Sequence, residues 1–565
     1  MTEQVLSQVL ELDLPRCQHT YGIAPCTAAG AAGTECYNTF KTCQDKPNYL
    51  QGTQTVRFTG IGGPIDKTAA ARPYITRLQR APTELDPEEG MGRRASSSVT
   101  MIDEACADTE FDPYIATRAA RAGGTFWTRL LARVNNYAGR TARIKHGYVD
   151  RGVFGTYITE QYIVEKITGP SGSGELTITL KDPTKLADRS TTPTPTSGKL
   201  SAVLGINDLQ ITLGSGDGAQ YPASGYVRIG DEVIRYGSNT ADVLSIPVSS
   251  YRAQFSTAAA EGAISDGVQL CTVWDDAAWY TVIKDILNNA GIVDASIDLT
   301  GLANEDATWL GPSYRVTRCL IEPIANDELL MDLLKPAQAM LWWDPEAAKV
   351  RVRVFAPQAP SFVVARTLDQ SGYLMRGSVE VERLEDLRIT LAAVYFGLTT
   401  AVVNVEESKS YNFGELTVDA DAESADEYNE RRVKTFYVPW FGVANILAMR
   451  SHSRRYVARH RDTPENVLFD LAPKDGDLEV GDVVDIQSQT LVDEDGQIRT
   501  ARLLITRKEH LGTHIKFRAR VTSFDKNYGF IAPAGALAYP GNAGYAVVTT
   551  SAGLQSDGTP GSLII

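Results

Sequence analysis

Four cysteines crowd near one end of a long chain. Cys17, Cys26, Cys36 and Cys43 fall within 27 residues in the pattern C-x8-C-x9-C-x6-C, while Cys106, Cys271 and Cys319 are scattered over the rest. Such a quartet constrains folding because it ties loops together, through bridges or through a shared metal centre. Two disulfides call for an oxidising compartment, and the opening MTEQVLSQVLELDLP has three acids and no basic region of the kind an export signal carries. A structural zinc usually takes ligands in pairs two to four residues apart, and no such pair occurs here. An iron–sulfur cluster also takes four thiolates but accepts wider, irregular loops. Spacing alone leaves iron–sulfur and zinc open, with disulfides or plain buried thiols behind them. Tyr21, Tyr37, Phe40 and Tyr49 are placed to exclude water, and Gly22, Gly30 and Gly33 to let backbone amides approach sulfur, although any small domain carries such residues. His19 reads as a loop histidine, since four cysteines already suffice. The other three cysteines read as core residues.

The remaining composition narrows the function classes. A chain of 565 residues exceeds one compact domain. Its formal charge of −14 does not suit non-specific grip on nucleic acid. No apolar run reaches ~18 residues, and the most apolar stretch, 389–403, reads as strands, so no stable membrane insertion is expected.

Periodicity predicts a strand over residues 5–14, with Leu10, Leu12 and Leu14 alternating, and another over 54–61. The segment 68–94 is ambiguous. Thr125 is placed to cap a short helix carrying Phe126, Leu130, Leu131 and Val134. Strands follow at 143–148 and in GELTITLKD, where Leu176, Ile178 and Leu180 share a face. The polar run 190–199 reads as an extended linker. After it comes a small all-β module whose clearest signal is GYVRIGDEVIRYG, two strands turned by Gly230-Asp231. Asp275 or Asp276 should cap a helix carrying Trp279, Val282, Ile283, Ile286 and Leu287, which Gly291 ends. A second helix from Asn326 should stop or kink at Pro336, and residues 341–343 and 350–355 should form a hairpin. Beyond 376 the pattern is mostly β, with one helix at 443–459 and strands at 481–487, 501–510 and 514–524. Residues 531–565 carry one charged side chain, Asp557, and read as a docking tail.

Catalytic motifs are missing. There is no G-x-S-x-G, no H-E-x-x-H and no phosphate-binding Walker loop, and the chain is expected not to be an enzyme. His510 and His514 read as an incidental pair across a turn. The basic run RSHSRRYVARHR, 450–461, reads as helix C-terminal charge paired to the acidic run 419–430, with a contact to DNA or an acidic subunit as its alternative.

Several strings carry a resemblance. Tyr21-Gly22 after the first cysteine, Pro25-Cys26, Cys36-Tyr37-Asn38-Thr39 and Thr42-Cys43-Gln44-Asp45 resemble the opening of tail-tip hub proteins of long-tailed bacteriophages, of the lambda type and of phage-derived gene transfer agents. GTFWTRLLARVNNYAGR at 124–140 and LEVGDVVDIQ are similar to further hub elements, and the module around GYVRIGDEVIRYG is similar to an insertion of tail proteins. The resemblance implies a mainly β, multidomain chain with α+β parts. Its expected divisions are an N-terminal strand and iron–sulfur segment (1–60), a first hub β-barrel (61–190), a small β insertion (191–270), an α+β domain (271–375), a second hub β-barrel (376–530) and the tail (531–565). It implies a [4Fe–4S] cluster on Cys17, Cys26, Cys36 and Cys43, with zinc as the alternative. It also implies a homotrimer at the virion tail tip, touching a distal tail protein, a tape measure protein and a central fibre or receptor-binding protein. DNA would pass through without sequence-specific binding, along a wall expected to be acidic. Two rivals stand beside it, a host-surface or carbohydrate-binding tail protein and a tail-associated cell-wall hydrolase.

Overall fold

In the computed structural model, residues 5–522 are described apart from 29–34, 62–70, 81, 93–95, 107–111, 115–122, 151–152, 155–157, 312–313, 357–362, 421, 425–426, 494 and 512–513. The expectation for 531–565 therefore lies outside the described residues. The chain is mainly β and divides into two compact units, residues 1–82, 94–185 and 343–350 in one and 83–93, 186–342 and 351–565 in the other.

The first unit is a closed barrel. Its strands are β1 (Val5–Cys17), β2 (Gln51–Gly60), β3 (Arg72–Gln79), β4 (Ser96–Ile102), β5 (Thr141–Asp150), β6 (Ile158–Thr168) and β7 (Glu175–Lys181). They pair in the order β1-β2-β3-β4-β7-β6-β5, and β5 pairs back onto β1. Closure removes every free edge from this ring. Alternation explains the fill. Leu10, Leu12 and Leu14 of β1 and Leu176, Ile178 and Leu180 of β7 point into one core with Phe58, Val99, Met101 and Ile144. Helix α1 (Phe126–Arg133) adds Phe126, Trp127 and Leu130 to that core. Trp127 stacks on Phe58 with ring centroids 5.1 Å apart. The entry to α1 is fixed twice: Thr128 Oγ1 accepts from the Thr125 amide, and Asp103 accepts from the Trp127 amide at 2.9 Å.

The opposite face of β1 carries charge. Glu11, 4% exposed, lies level with Arg57 on β2 and Arg143 on β5. It accepts from both at 2.9 Å and from Lys145 at 3.0 Å, while Asp13 takes Arg143 at 2.7 Å. Burial by itself would raise the Glu11 pKa, but the three cationic donors outweigh it and hold it at about 2.

The second unit contains a four-stranded sheet. Its strands are β8 (Gly225–Ile229), β9 (Glu232–Tyr236), β10 (Val268–Ala278) and β11 (Arg315–Leu320), in the order β9-β8-β10-β11. Gly230, at φ +57°, makes the expected turn between β8 and β9. Inside this module Glu232 and Arg252, 1% and 5% exposed, form a buried pair at 2.7 Å. Arg252 also donates to the carbonyls of Gly205, Asp208 and Ala260, so the pair is fully hydrogen-bonded. Helix α2 (Trp279–Asn289) buries its expected face. Asp275 and Asp276 do not cap it: β10 runs through them and the N-cap is Ala278, because they form a bulge in the ladder to β11, where Asp276 takes φ +47° and its amide donates to the Thr317 hydroxyl at 3.0 Å. The run 190–199 is not a free linker either. Thr191–Thr192 pairs with Ile324–Ala325, and Thr192 is buried with its hydroxyl on Asn326 at 2.7 Å. Helix α3 (Asn326–Ala337) holds Pro336 in its last turn and ends one residue later. The expected hairpin follows as β12 (Ala339–Asp344) and β13 (Lys349–Val354).

The C-terminal part holds two sheets. One contains β14 (Arg366–Asp369) and β15 (Glu380–Arg383); the other contains β16 (Leu391–Leu398), β17 (Tyr411–Val418) and β18 (Val433–Val438), backed by helix α4 (Ile446–His460). Strands β19 (Glu465–Leu471), β20 (Val483–Val492), β21 (Ile498–His510) and β22 (Ile515–Val521) complete the first, in the order β14-β20-β21-β22-β19-β15. A bridge from Leu374 to Leu471 brings the chain after β14 back to β19. The enclosed core contains Leu368, Val467, Phe469, Ile486, Leu503, Ile505 and Phe517.

Glu11→Gln removes a buried carboxylate from beneath three cations and should cost about 1.5–3 kcal/mol at neutral pH. Because the folded pKa of Glu11 is about 2, below its ordinary 4.5, its contribution is complete above that ordinary value and is lost as pH falls towards 2. Melting curves of wild type and variant should therefore differ most near pH 6–7 and converge near pH 2.

Candidate metal centre

The cysteine segment is the connection between the first two barrel strands. Cys17 is the last residue of β1 and lies opposite Gln51, the first residue of β2, so the long loop leaves and returns at one rung. Along this loop all four cysteines of the quartet reach one pocket. Cys17, Cys26, Cys36 and Cys43 line it together with His19, Asn38, Asp45 and Tyr49. Cys36 is the most enclosed, 7% exposed, and its sulfur accepts the Asn38 amide at 3.3 Å. Burial pushes the Cys36 and Cys43 thiols up, and the other thiols of the quartet push the same way.

Backbone bonds set the loop. Cys17 N–H donates to the Asn38 carbonyl at 2.7 Å, Cys26 N–H to Ile23 at 3.0 Å and Cys43 N–H to Phe40 at 3.3 Å. Two side chains then clamp its parts together. Tyr114 accepts the Tyr21 amide at 2.8 Å and donates to Asn38 Oδ1 at 2.8 Å, so one phenol joins the stretch after Cys17 to the stretch after Cys36. Asp45 accepts from the Thr27 amide at 2.7 Å and from Asn48, which hold its carboxyl below the usual range, the Thr27 amide most strongly. Sequence reasoning missed both. Asp45 stood inside a recognised string without a role, and nothing local signals Tyr114, 93 residues from Tyr21.

Among the described residues, no group of three or more His, Cys, Asp and Glu is placed to hold a metal ion. The Tyr49 hydroxyl is buried at the pocket without a hydrogen-bond partner among the described residues. His19 also lines the pocket.

The other candidate patches fall elsewhere. His510 and His514 flank a turn closed by the Leu511 amide on the His514 carbonyl. The basic run lies on α4 and partly answers to the charge pairing expected of it, with Arg461 near Asp419 and on Glu427 and Arg450 on Glu415. Arg455 and Arg459, however, are buried at 6% and 5% exposure. Arg459 lies 3.9 Å from the Phe355 ring centroid, and burial lowers its pKa to about 9. His460 bonds the Tyr456 carbonyl at 2.8 Å and both Glu88 oxygens at 3.1 Å. The Glu88 pKa is held at about 2, burial being outweighed by His460, Arg459 and Arg520. This part of the run is an internal charge network.

No family model and no curated protein matches the sequence. Among solved structures the chain is similar to the tail protein from Neisseria meningitidis MC58, at 10% identity over 79% of this chain and 92% of that one, TM-score 0.36. It is similar to the 43 kDa tail protein of prophage MuSo2 from Shewanella oneidensis, at 9% identity over 79% and 94%, TM-score 0.33. It is also similar to a chain of the native gene transfer agent virion, at 13% identity over 80% and 86%, TM-score 0.28.

Tyr114→Phe keeps the ring and removes the hydroxyl that bridges Tyr21 and Asn38. It should cost about 1–2 kcal/mol locally and speed alkylation of Cys36 several-fold in metal-free protein, read by mass spectrometry, while the reactivity of Cys271 stays unchanged.

Proposed function

We propose that this chain is a non-catalytic building block of a phage tail tip, the hub that closes the tail tube, with one [4Fe–4S] cluster held by Cys17, Cys26, Cys36 and Cys43. The observation that carries the reading is the convergence of those four thiols on one pocket, the same four positions that the hub resemblance implies as ligands. The cluster would act as a cross-link between loop segments that have little core of their own. The protein's own residues set the frame: β1 and β2 fix the two ends of the loop, and Tyr114 and Asp45 fix its interior. In this reading three copies surround the tube axis. They meet a distal tail protein and the tape measure protein on one side and a central fibre or receptor-binding protein on the other, and they open for DNA ejection. The chain would be assembled in the reducing host cytoplasm, which suits thiolate ligands, and would reside in the virion.

A carbohydrate-binding role calls for an exposed aromatic platform on the module around β8 and β9. The large apolar side chains exposed there are Val203, Ile206, Leu209, Val248 and Ile264, all aliphatic, which favours the structural reading. A cell-wall hydrolase remains the third reading, and degradation of purified cell wall by this protein would establish it.

Anaerobically purified protein should be brown, absorb near ~400 nm and lose that band on oxidation, with iron and acid-labile sulfide in equal amounts. Stoichiometric zinc without iron would overturn the cluster. Cys36→Ser should abolish the band and destabilise the first unit, leaving the β19–β22 sheet protected in hydrogen exchange.

A further inference from the structure

The three-stranded sheet β17-β16-β18 has one covered face and one open face. Helix α4 covers the first: Ser453 and Thr417 hydroxyls meet at 2.7 Å, Arg450 pairs with Glu415, and Val457 packs with Ala392. Alternation along the strands sends their other residues to the opposite face. There, Val418 and Val433 flank Leu391, Leu416 and Thr435 flank Ala393, and Gly414 and Tyr437 flank Tyr395. Leu416 is 62% exposed, Val433 55%, Val418 41% and Tyr437 37%. A contiguous apolar sheet face of this kind marks an interaction surface.

Both rims of the same sheet are also open. Among the described residues, β17 and β18 each pair with β16 alone, so each presents a row of unpaired backbone groups. The two rims differ in charge. The β17 rim carries Glu415, which also meets Arg450, and, just past its end, Asp419, which also lies near Arg461; the β18 rim carries the exposed Lys434, preceded by Arg432, which bonds Glu430. Lys434 and Thr417 both lie level with Ala392. In a sheet continued in register, Lys434 of the next copy would sit between Glu415 and Asp419. Val433 would meet Val418 on the open face.

We propose that this sheet joins a second copy of the chain head to tail, β17 of one against β18 of the next, with the Leu416–Val433 face buried between subunits. A rim lysine alone would read as a guard against stray pairing; beside an apolar face and a matching acidic rim, it reads as half of a contact. Two different rims make a heterologous interface, and such contacts close into rings when the rotation allows. The proposal deepens the hub reading by naming the surface between subunits, and rests on that reading only for the ring's closure.

The test uses the full-length protein with its metal centre intact. Light-scattering mass should be a multiple of 61.5 kDa for wild type and one subunit for Leu416→Glu and for Val433→Glu, with far-UV circular dichroism and iron content unchanged. Leu416→Cys and Thr435→Cys proteins, treated with a short bismaleimide, should cross-link when mixed and not when either is alone, above the wild-type background. Three results would overturn the contact: a monomeric wild type at tens of micromolar, an undiminished mass in both Glu variants, or cross-linking of Leu416→Cys to itself. A wild type that gains mass only with a different virion protein would give the face to that protein instead, and equally ends the proposal. Iron and sulfide are read separately, so failure of the contact and failure of the cluster are distinguishable.

Discussion

The first strand of the chain holds the first unit together by pairing on both sides. β1 meets β2 along one rim and β5 along the other, and without it the ring would be an open sheet with two long free edges. The seam is reinforced twice. Inward, Leu10, Leu12 and Leu14 seal against the aromatic group around Trp127. On the opposite face, Glu11 draws Arg57, Arg143 and Lys145 from both neighbours onto one carboxylate. The cysteine loop inherits its stiffness from this seam, since both of its ends belong to it.

Much of the β architecture was legible because alternation is local. The leucines of β1 and β7 and the Gly230-Asp231 turn each announce a strand or hairpin within a dozen residues. The crowding of the cysteine quartet was legible, and its four members do line one pocket. What sequence could not supply were partners brought from afar. Tyr114 reaches the loop from a stretch with no periodic signal. The pairing that closes the ring joins Glu11 to Arg143, 132 residues apart. Thr192 looked like linker and is buried, because its hydroxyl meets Asn326 134 residues on. Asp276 looked like a cap and sits instead in a bulge of β10, its amide held by the Thr317 hydroxyl of the neighbouring strand.

The arginine-rich helix shows how burial rewrites a charge pattern. Read linearly, 450–461 is a cationic surface beside an acidic run. In the fold its outer members do pair with acids, but Arg455 and Arg459 turn inward. The compensating charge comes from Glu88, 372 residues earlier in the chain than His460. One His460 ring nitrogen faces the Tyr456 carbonyl and the other the Glu88 carboxylate. A carboxylate 372 residues upstream thus meets the charge of this helix, which no window-based reading of charge can reveal.

The order in which the ring's members are synthesised has a consequence of its own. β1 and β2 emerge from the ribosome first and can zip at once, but the remaining partner of β1 and the last strand, ending at Lys181, come later. At ordinary translation speeds of about 5–20 residues per second, the nascent hairpin waits roughly 6–24 s before the ring can shut. Throughout that interval the thiol loop hangs from a tethered, half-built support, its four sulfurs still open to solvent and to oxidants.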